Sequence, residues 1–299
     1  MARPRRGRDR LASFPPITTP IAFLGTGLLG AGFVEAALGR GESVRIWNRT
    51  RAKAEPLGAL GATVCDTPAD AVRGASRVHL VLQDDLSVDA VIEALRPGLG
   101  ADATIVDHTT TRPDLTAARA ARLTAAGIRY LHCPVFIGPP GARKGEGVML
   151  ACGPRGWFDA VHPALARQAT RIEYLGERPE IAAAFKLAGN ALLLGITGLV
   201  SDTVTVLDRN GVPGAEIAKL LEYLNPSHVV AARAKRMTNK DFAPSFELAM
   251  ARKDLRLMQE SVGDAPLMVI PGMAARMDAL LAEGLGHQDF GVIGRDAVR

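Results

Sequence analysis

Cysteine is scarce in this chain: 299 residues contain three, Cys65, Cys133 and Cys152. They are far apart, odd in number and free of any C-x-x-C pair, so neither a disulfide framework nor a zinc motif is expected. A reducing, cytoplasmic setting suits that usage. The six histidines also lack metal-ligand spacing, and no metal site is expected. No apolar h-region follows the Arg-rich start, which argues against a secretory signal. The uncharged run 187–201 falls short of the ~20 residues that cross a bilayer, so no membrane segment is expected. Internal repeats and low-complexity tracts are absent as well.

The basic balance is local. Of the formal charge of +5, residues 1–10 supply most, with five Arg and one Asp. The rest of the chain is near neutral, so by charge count nucleic acid is not an expected partner. The segment 1–16 reads as a disordered basic tail. Hydrophobic content of 47% and charged content of 22% are ordinary for a globular protein, and the length suits one large or two ordinary domains.

What is present starts at residue 20. A short apolar strand over 20–24 runs into G-T-G-L-L-G at 25–30 and a helical stretch over 31–38. This is G-x-G-x-x-G in the setting it needs, after a strand and opening a helix. Gly25 makes the tight turn, Gly27 lets a pyrophosphate approach the backbone, and Gly30 lets helix pack on strand. The helix N-terminus offers amide donors and a positive dipole end to phosphates. Thr26, Leu28 and Leu29 complete the cofactor loop. A second strand over 43–47 ends at Asn48, Arg49, Thr50 and Arg51, where NAD sites usually carry an acidic residue for the ribose 2′-hydroxyl. Amide, cation and hydroxyl here fit a 2′-phosphate, and NADP(H) is the expected cofactor.

Strand-like segments at 62–65, 78–82 and 103–106 alternate with helical ones near 51–60, 87–96 and 113–126. That alternation predicts an α/β, Rossmann-type, doubly wound parallel sheet whose strand C-termini line the ligand crevice. Leu82 and Gln83 lie at one such end and the segment 107–111 at another, where His108 reads as structural or exposed. A Gly- and Pro-rich loop over 132–147 precedes a strand over 148–152; in it Arg143 and Lys144 read as solvated, the alternative being a hold on a substrate carboxylate. The remainder is helical: 179–210, 213–224, a helix capped at Asn225, Pro226 and Ser227, 246–262, and a pair over 267–285 interrupted at Pro271 and Gly272. Apolar residues on every side of the wheel predict that the 179–210 helix is buried all round. Gly189, Gly195 and Gly198 in it imply close approach by another helix or a ligand. Lys186 and Asn190 share one of its faces and need polar partners. These signals divide the chain into a tail over 1–16, a dinucleotide-binding domain over 17–178 and an all-α domain over 179–299, joined by the long helix.

Over 20–295 the sequence resembles the β-hydroxyacid dehydrogenase family, which includes 3-hydroxyisobutyrate and tartronate semialdehyde enzymes and relatives of 6-phosphogluconate dehydrogenase. Four segments carry the resemblance in order and spacing: the glycine loop at 25–30, C-P-V at 133–135 with Gly138, F-K-L-A-G-N at 185–190 and K-D-L-R-L at 253–257. The resemblance implies an oxidoreductase acting on CH–OH donors, with its cleft between the sheet domain and the helices. It implies Lys186 as general acid/base, Asn190 orienting a small-molecule substrate, Thr109 and Thr110 near the nicotinamide, and Lys253 beside the cofactor. Val135, Phe136, Ile137 and Gly138 fall at the substrate loop. A homodimer or larger homo-oligomer through the helical half is the family's habit, and the nearly uncharged 187–201 run points the same way. One departure stands out: the family loop usually reads D-A-P-V-S-G-G, and here Phe136 replaces the serine and Ile137 the first glycine. Two alternatives stay open. One is imine reduction, although imine reductases typically replace the lysine; the other is a non-catalytic nucleotide-sensing or DNA-tethered relative.

Overall fold

The computed structural model describes residues 19–298, so the expected basic tail lies outside the described residues. The chain forms two compact units that divide between Gly189 and Asn190, inside one continuous helix.

The first unit is built on a six-stranded parallel sheet of β1 (Ile21–Leu24), β2 (Val44–Trp47), β3 (Thr63–Val64), β4 (Arg77–Leu80), β5 (Thr104–Asp107) and β6 (Arg129–His132), in the order β3-β2-β1-β4-β5-β6. Every residue of β1 is buried, as a central parallel strand covered on both faces requires. Its alternate residues go to opposite faces: Ile21 and Phe23 join one core with Phe33 and Val34 of α1 (Leu28–Gly39). Ala22 and Leu24 join the other with Val88 and Ile92 of α2 (Asp85–Leu95). The order of strands reverses between β1 and β4, which puts the crevice at their C-terminal ends, where Gly25 and Leu82 lie. Asp84 caps α2 by accepting from the Ser87 amide at 2.8 Å.

The segment read as a loop over 132–147 is more ordered than expected. It contains β7 (Val135–Phe136) and a short helix α3 (Pro139–Lys144), started by prolines in its first turn and ended at Gly145 in the left-handed region. The strand expected at 148–152 is β8 (Val148–Ala151); it stands outside the main sheet, pairing antiparallel with β7 and parallel with β9 (Arg171–Tyr174). Arg143 is exposed, as expected, and its guanidinium pairs at the surface with Glu35 on α1 at 2.6 Å.

The long helix is α4 (Pro179–Arg209). Its first turn packs Ala182 against Leu150 and Cys152 of the small sheet. Beyond that, the expectation of burial all round fails: Leu192, Leu193 and Leu194 are exposed, Leu194 at 71%. An all-apolar wheel specifies that a helix needs cover on every side, but not that its own chain supplies it. By length and composition α4 could also span a bilayer, a test that helices covered by protein pass equally well.

The second unit contains the rest of α4 with α5 (Ile217–Tyr223), α6 (Pro226–Thr238), α7 (Leu248–Val262) and α8 (Ile270–Ala282). Asn225 caps α6 through the Ser227 amide, as its place before Pro226 predicts. Pro271 does not interrupt a pair of helices; it lies in the first turn of α8, where its missing N–H costs nothing. Leu248, Leu255, Ile270, Met277 and Leu280 form the core. Asp202 on α4 is buried and accepts from the amides of Met268, Val269 and Ile270 at 2.7, 2.8 and 2.9 Å, so one helix caps another. Burial pushes the Asp202 carboxyl up, but the three amides outweigh it and hold the group below the usual aspartate value. Asp202→Ala is expected to cost ~1–2 kcal/mol, the scale of a lost cap, and to lower Tm by several degrees. Because the folded pKa is depressed, the stabilisation is complete above the unfolded value of ~3.9 and fades as pH falls through the folded one. Tm curves of the two proteins should therefore converge in acid; a gap unchanged down to pH ~2 would contradict this.

Candidate active site

The glycine loop is shaped by backbone contacts that only glycine allows. Gly25 has φ +100°, and a Cβ there would collide with the Val81 carbonyl; one on Gly30 would collide with the Gly25 carbonyl. Gly27, in contrast, faces open space and begins α1 with no side-chain cap. Thr26 beside it is buried, and its Oγ1 has no hydrogen-bond partner among the described residues. An uncapped helix N-terminus, an open glycine and an orphaned hydroxyl are what a pyrophosphate would occupy, so these residues fit a dinucleotide. Leu29 turns onto the sheet core, whereas Leu28 is 79% exposed at the head of α1.

A cavity of about 490 Å3 opens from this loop along the end of β2, past Arg49, Thr50 and Lys53 to Gln83 and Ser87. The four residues that follow β2 divide their work. Asn48 accepts from the Thr26 amide at 3.0 Å through Oδ1 and donates to the Thr50 carbonyl at 2.8 Å, so its amide braces the glycine loop. Arg51 pairs with Asp66 and lies 3.6 Å from Glu55, which takes it out of phosphate binding. Lys53, missed in the sequence, lines the cavity with Arg49. Its signal was a third cation, four residues after Arg49 and two after Arg51, across a single turn of 3-10 helix over Arg51–Lys53.

The ends of β4 and β5 are tied together. Thr109 is buried; its amide donates to Asp107 Oδ1 at 2.9 Å and its hydroxyl accepts from the Leu82 amide at 3.1 Å. Asp107 also accepts from the Tyr130 hydroxyl at 2.8 Å, and burial raises its pKa. His108 is structural. Its Nδ1 lies 2.8 Å from the Cys133 carbonyl, which fixes the donor there and leaves Nε2 to accept from His79 Nδ1 at 3.0 Å. Burial holds both rings neutral, His108 at about 4.

In the segment expected to be the substrate loop, the pleat of β7 sends Val135 into the core and Phe136 outward. Val135 therefore has no side chain to offer a substrate, and Ile137 packs back on the same core. Gly138 begins α3. Lys186, half-buried on α4, holds Nζ 4.4 Å from the centre of the Phe136 ring, and burial lowers its pKa. Asn190 opens the second unit one helical turn further along α4. Lys253 belongs to that unit too, on α7, with Nζ 2.8 Å from Asp254.

Two family models span nearly all of this architecture. The one described as the NAD binding domain of 6-phosphogluconate dehydrogenase matches residues 20–176. The one described as NAD-binding of NADP-dependent 3-hydroxyisobutyrate dehydrogenase matches residues 181–295. The chain belongs to the β-hydroxyacid dehydrogenase family. Its relatives include glyoxylate/succinic semialdehyde reductase 1 of Arabidopsis thaliana, 27% identical over 286 residues that span 91% of this chain and 96% of that protein. The mitochondrial 3-hydroxyisobutyrate dehydrogenase of Drosophila melanogaster is 27% identical over 91% of this chain and 87% of its own length. Among solved structures, an imine reductase from Streptomyces aurantiacus superposes with a TM-score of 0.85 over 94% of this chain and 100% of that one, at 22% identity, a likeness of fold. The expected Rossmann-type sheet followed by a helical region is thus the fold of an NAD(P)-binding dehydrogenase of the β-hydroxyacid type.

Proposed function

We propose that this dehydrogenase uses NADP(H) to interconvert a small carbonyl compound and its alcohol, with Lys186 as general acid/base. The observation that carries the reading is the half-buried Lys186 ammonium beside the substrate loop, 4.4 Å from the Phe136 ring. When bound, the nicotinamide supplies or takes up the hydride. The protein's part is to manage the oxygen: in reduction the substrate oxygen gains negative charge, and Lys186 Nζ gives it a proton while its own charge stabilises the developing alkoxide. Asn190, on the same face of α4, would orient the substrate, and Thr109, which ties the β4 and β5 ends together, would lie near the nicotinamide. Arg49, Thr50 and Lys53 would hold a 2′-phosphate. Because Phe136 stands where the family has a serine, neutral and less polar carbonyl compounds should be preferred to small hydroxy acids.

The test is NADPH oxidation against a panel of semialdehydes, keto acids, neutral aldehydes and ketones, and cyclic imines. Neutral carbonyl compounds should give the highest kcat/KM. Turnover of imines alone would replace carbonyl with imine reduction, and cofactor binding without any turnover would favour a nucleotide sensor.

We further infer a homodimer or larger assembly through the helical half. The leucines at 192–194 on α4, and Leu221 and Leu224 at and just after α5, leave apolar side chains open to water, and a second copy is the cover that the family's habit supplies. Sedimentation at micromolar concentration should give at least twice the chain mass; a monomer there would defeat the inference. Cytoplasmic placement belongs to the same reading and is supported by three free cysteines.

A further inference from the structure

We propose that Gly189 sets the substrate specificity of this enzyme, by seating the Phe136 ring against the Lys186 helix so that an aromatic face, not a hydroxyl, walls the site beside the acid. The proposal rests on the carbonyl-reducing role of Lys186 argued above and adds the residue that controls what Lys186 meets.

The seat is visible in three contacts. A Cβ built on Gly189 would lie 2.6 Å from Phe136 Cε1 and closer still to Cζ, and its three nearest heavy atoms all belong to that ring. No side chain at 189 can coexist with the ring where it stands. Of the other glycines on the same helix, Gly195 meets nothing within 4 Å and Gly198 would meet only Val269 Cγ2 at 3.0 Å, so the tightest contact is the one at 189. One helical turn before Gly189, Lys186 places Nζ 4.4 Å from the ring centre, inside the ~6 Å range of a cation–π contact. Glycine disfavours a helix interior, and the ring is the compensating contact at this position.

The ring decides which substrates suit the acid. An aromatic face carries partial negative charge, so it attracts the ammonium and repels a carboxylate approaching by the same side. It also offers apolar contact in place of the serine hydroxyl. The substrate class that fits is a neutral aldehyde or ketone bearing an apolar substituent next to its carbonyl.

A double-mutant cycle tests the coupling. The four proteins are wild type, Gly189→Ala, Phe136→Leu and the double variant, each assayed with a neutral aldehyde and with the same aldehyde carrying a terminal carboxylate. Gly189→Ala should lower kcat/KM for the neutral aldehyde at least tenfold, with NADPH Kd within twofold of wild type and Tm not reduced. In the Phe136→Leu background the same change should cost less than threefold, because there is no ring to displace. Phe136→Tyr, which keeps the ring, should keep the wild-type preference between the two aldehydes. Equal costs in both backgrounds, or no cost in wild type, would overturn the proposal.

A spectroscopic arm does not depend on turnover. The chain has seven lysines, and reductive methylation with 13C-formaldehyde labels them; the Lys186 signal is the one missing from Lys186→Met. The Phe136 ring current should shift that signal upfield in wild type, with the shift lost in Phe136→Leu and diminished in Gly189→Ala. A shift that behaves this way in a protein inactive on every carbonyl would refute the catalytic reading and leave the seat intact. An unshifted Lys186 signal in wild type would refute the seat itself.

Discussion

Lys186→Met is expected to lower kcat for carbonyl reduction by roughly 10²–10⁴-fold, the range that general acid catalysis contributes, while NADPH affinity stays within twofold. Methionine keeps the length and the apolar stem of lysine, so contact with the Phe136 ring survives and only the proton and the charge are removed. The pH profile supplies a second check. Burial lowers the Lys186 pKa, and reduction needs the protonated form. The reductive rate should therefore fall as pH rises through a value below the ~10.4 of an ordinary lysine, and oxidation, which needs the free amine, should rise through the same value. Wild-type kcat in Lys186→Met, or a profile with no alkaline limb in reduction, would remove Lys186 from the chemistry.

The parts of this site that were legible in the sequence are those set by local backbone demands. The glycine loop is one: the positive φ of Gly25 and the collision of a Gly30 Cβ with the Gly25 carbonyl are set inside the motif, although Gly25 is also confined by the Val81 carbonyl at the end of the neighbouring strand. The helix cap at Asn225 is of the same kind. What the sequence could not supply were choices made by distant partners. The run 48–51 raised the expectation of a 2′-phosphate site, but which of its side chains face the cavity depends on Asp66 drawing Arg51 aside and on Thr26 recruiting the Asn48 amide. Arg143 gave the same difficulty, because Glu35 lies 108 residues away. The exposed α4 is the plainest case. Its composition states how much apolar surface requires cover, and composition is silent on which molecule provides it.

Removing Arg49 and Lys53 together is expected to raise the Kd for NADPH by roughly 10²–10⁴-fold, because each hydrogen bond to a charged group contributes ~1.5–3 kcal/mol and every 1.4 kcal/mol is tenfold. Both side chains line the cavity at the end of β2, and no acidic residue occupies the four positions after that strand to bind a ribose 2′-hydroxyl instead. NADH lacks the phosphate, so its Kd in the double variant Arg49→Ala/Lys53→Ala should move less than threefold, bringing the two cofactors close together. The Arg51→Ala variant is the control that separates geometry from net charge. It removes the same charge from the same turn, but Asp66 and Glu55 already engage Arg51, so NADPH affinity should change less than threefold. Raising the salt concentration weakens exposed charge pairs and should lower wild-type NADPH affinity while leaving the double variant almost unaffected. Titrations of both cofactors against all three proteins decide the matter. Equal losses for NADH and NADPH would mean that the two cations support the fold of the loop, and wild-type constants within threefold of each other would mean that this cavity does not select for the phosphate at all.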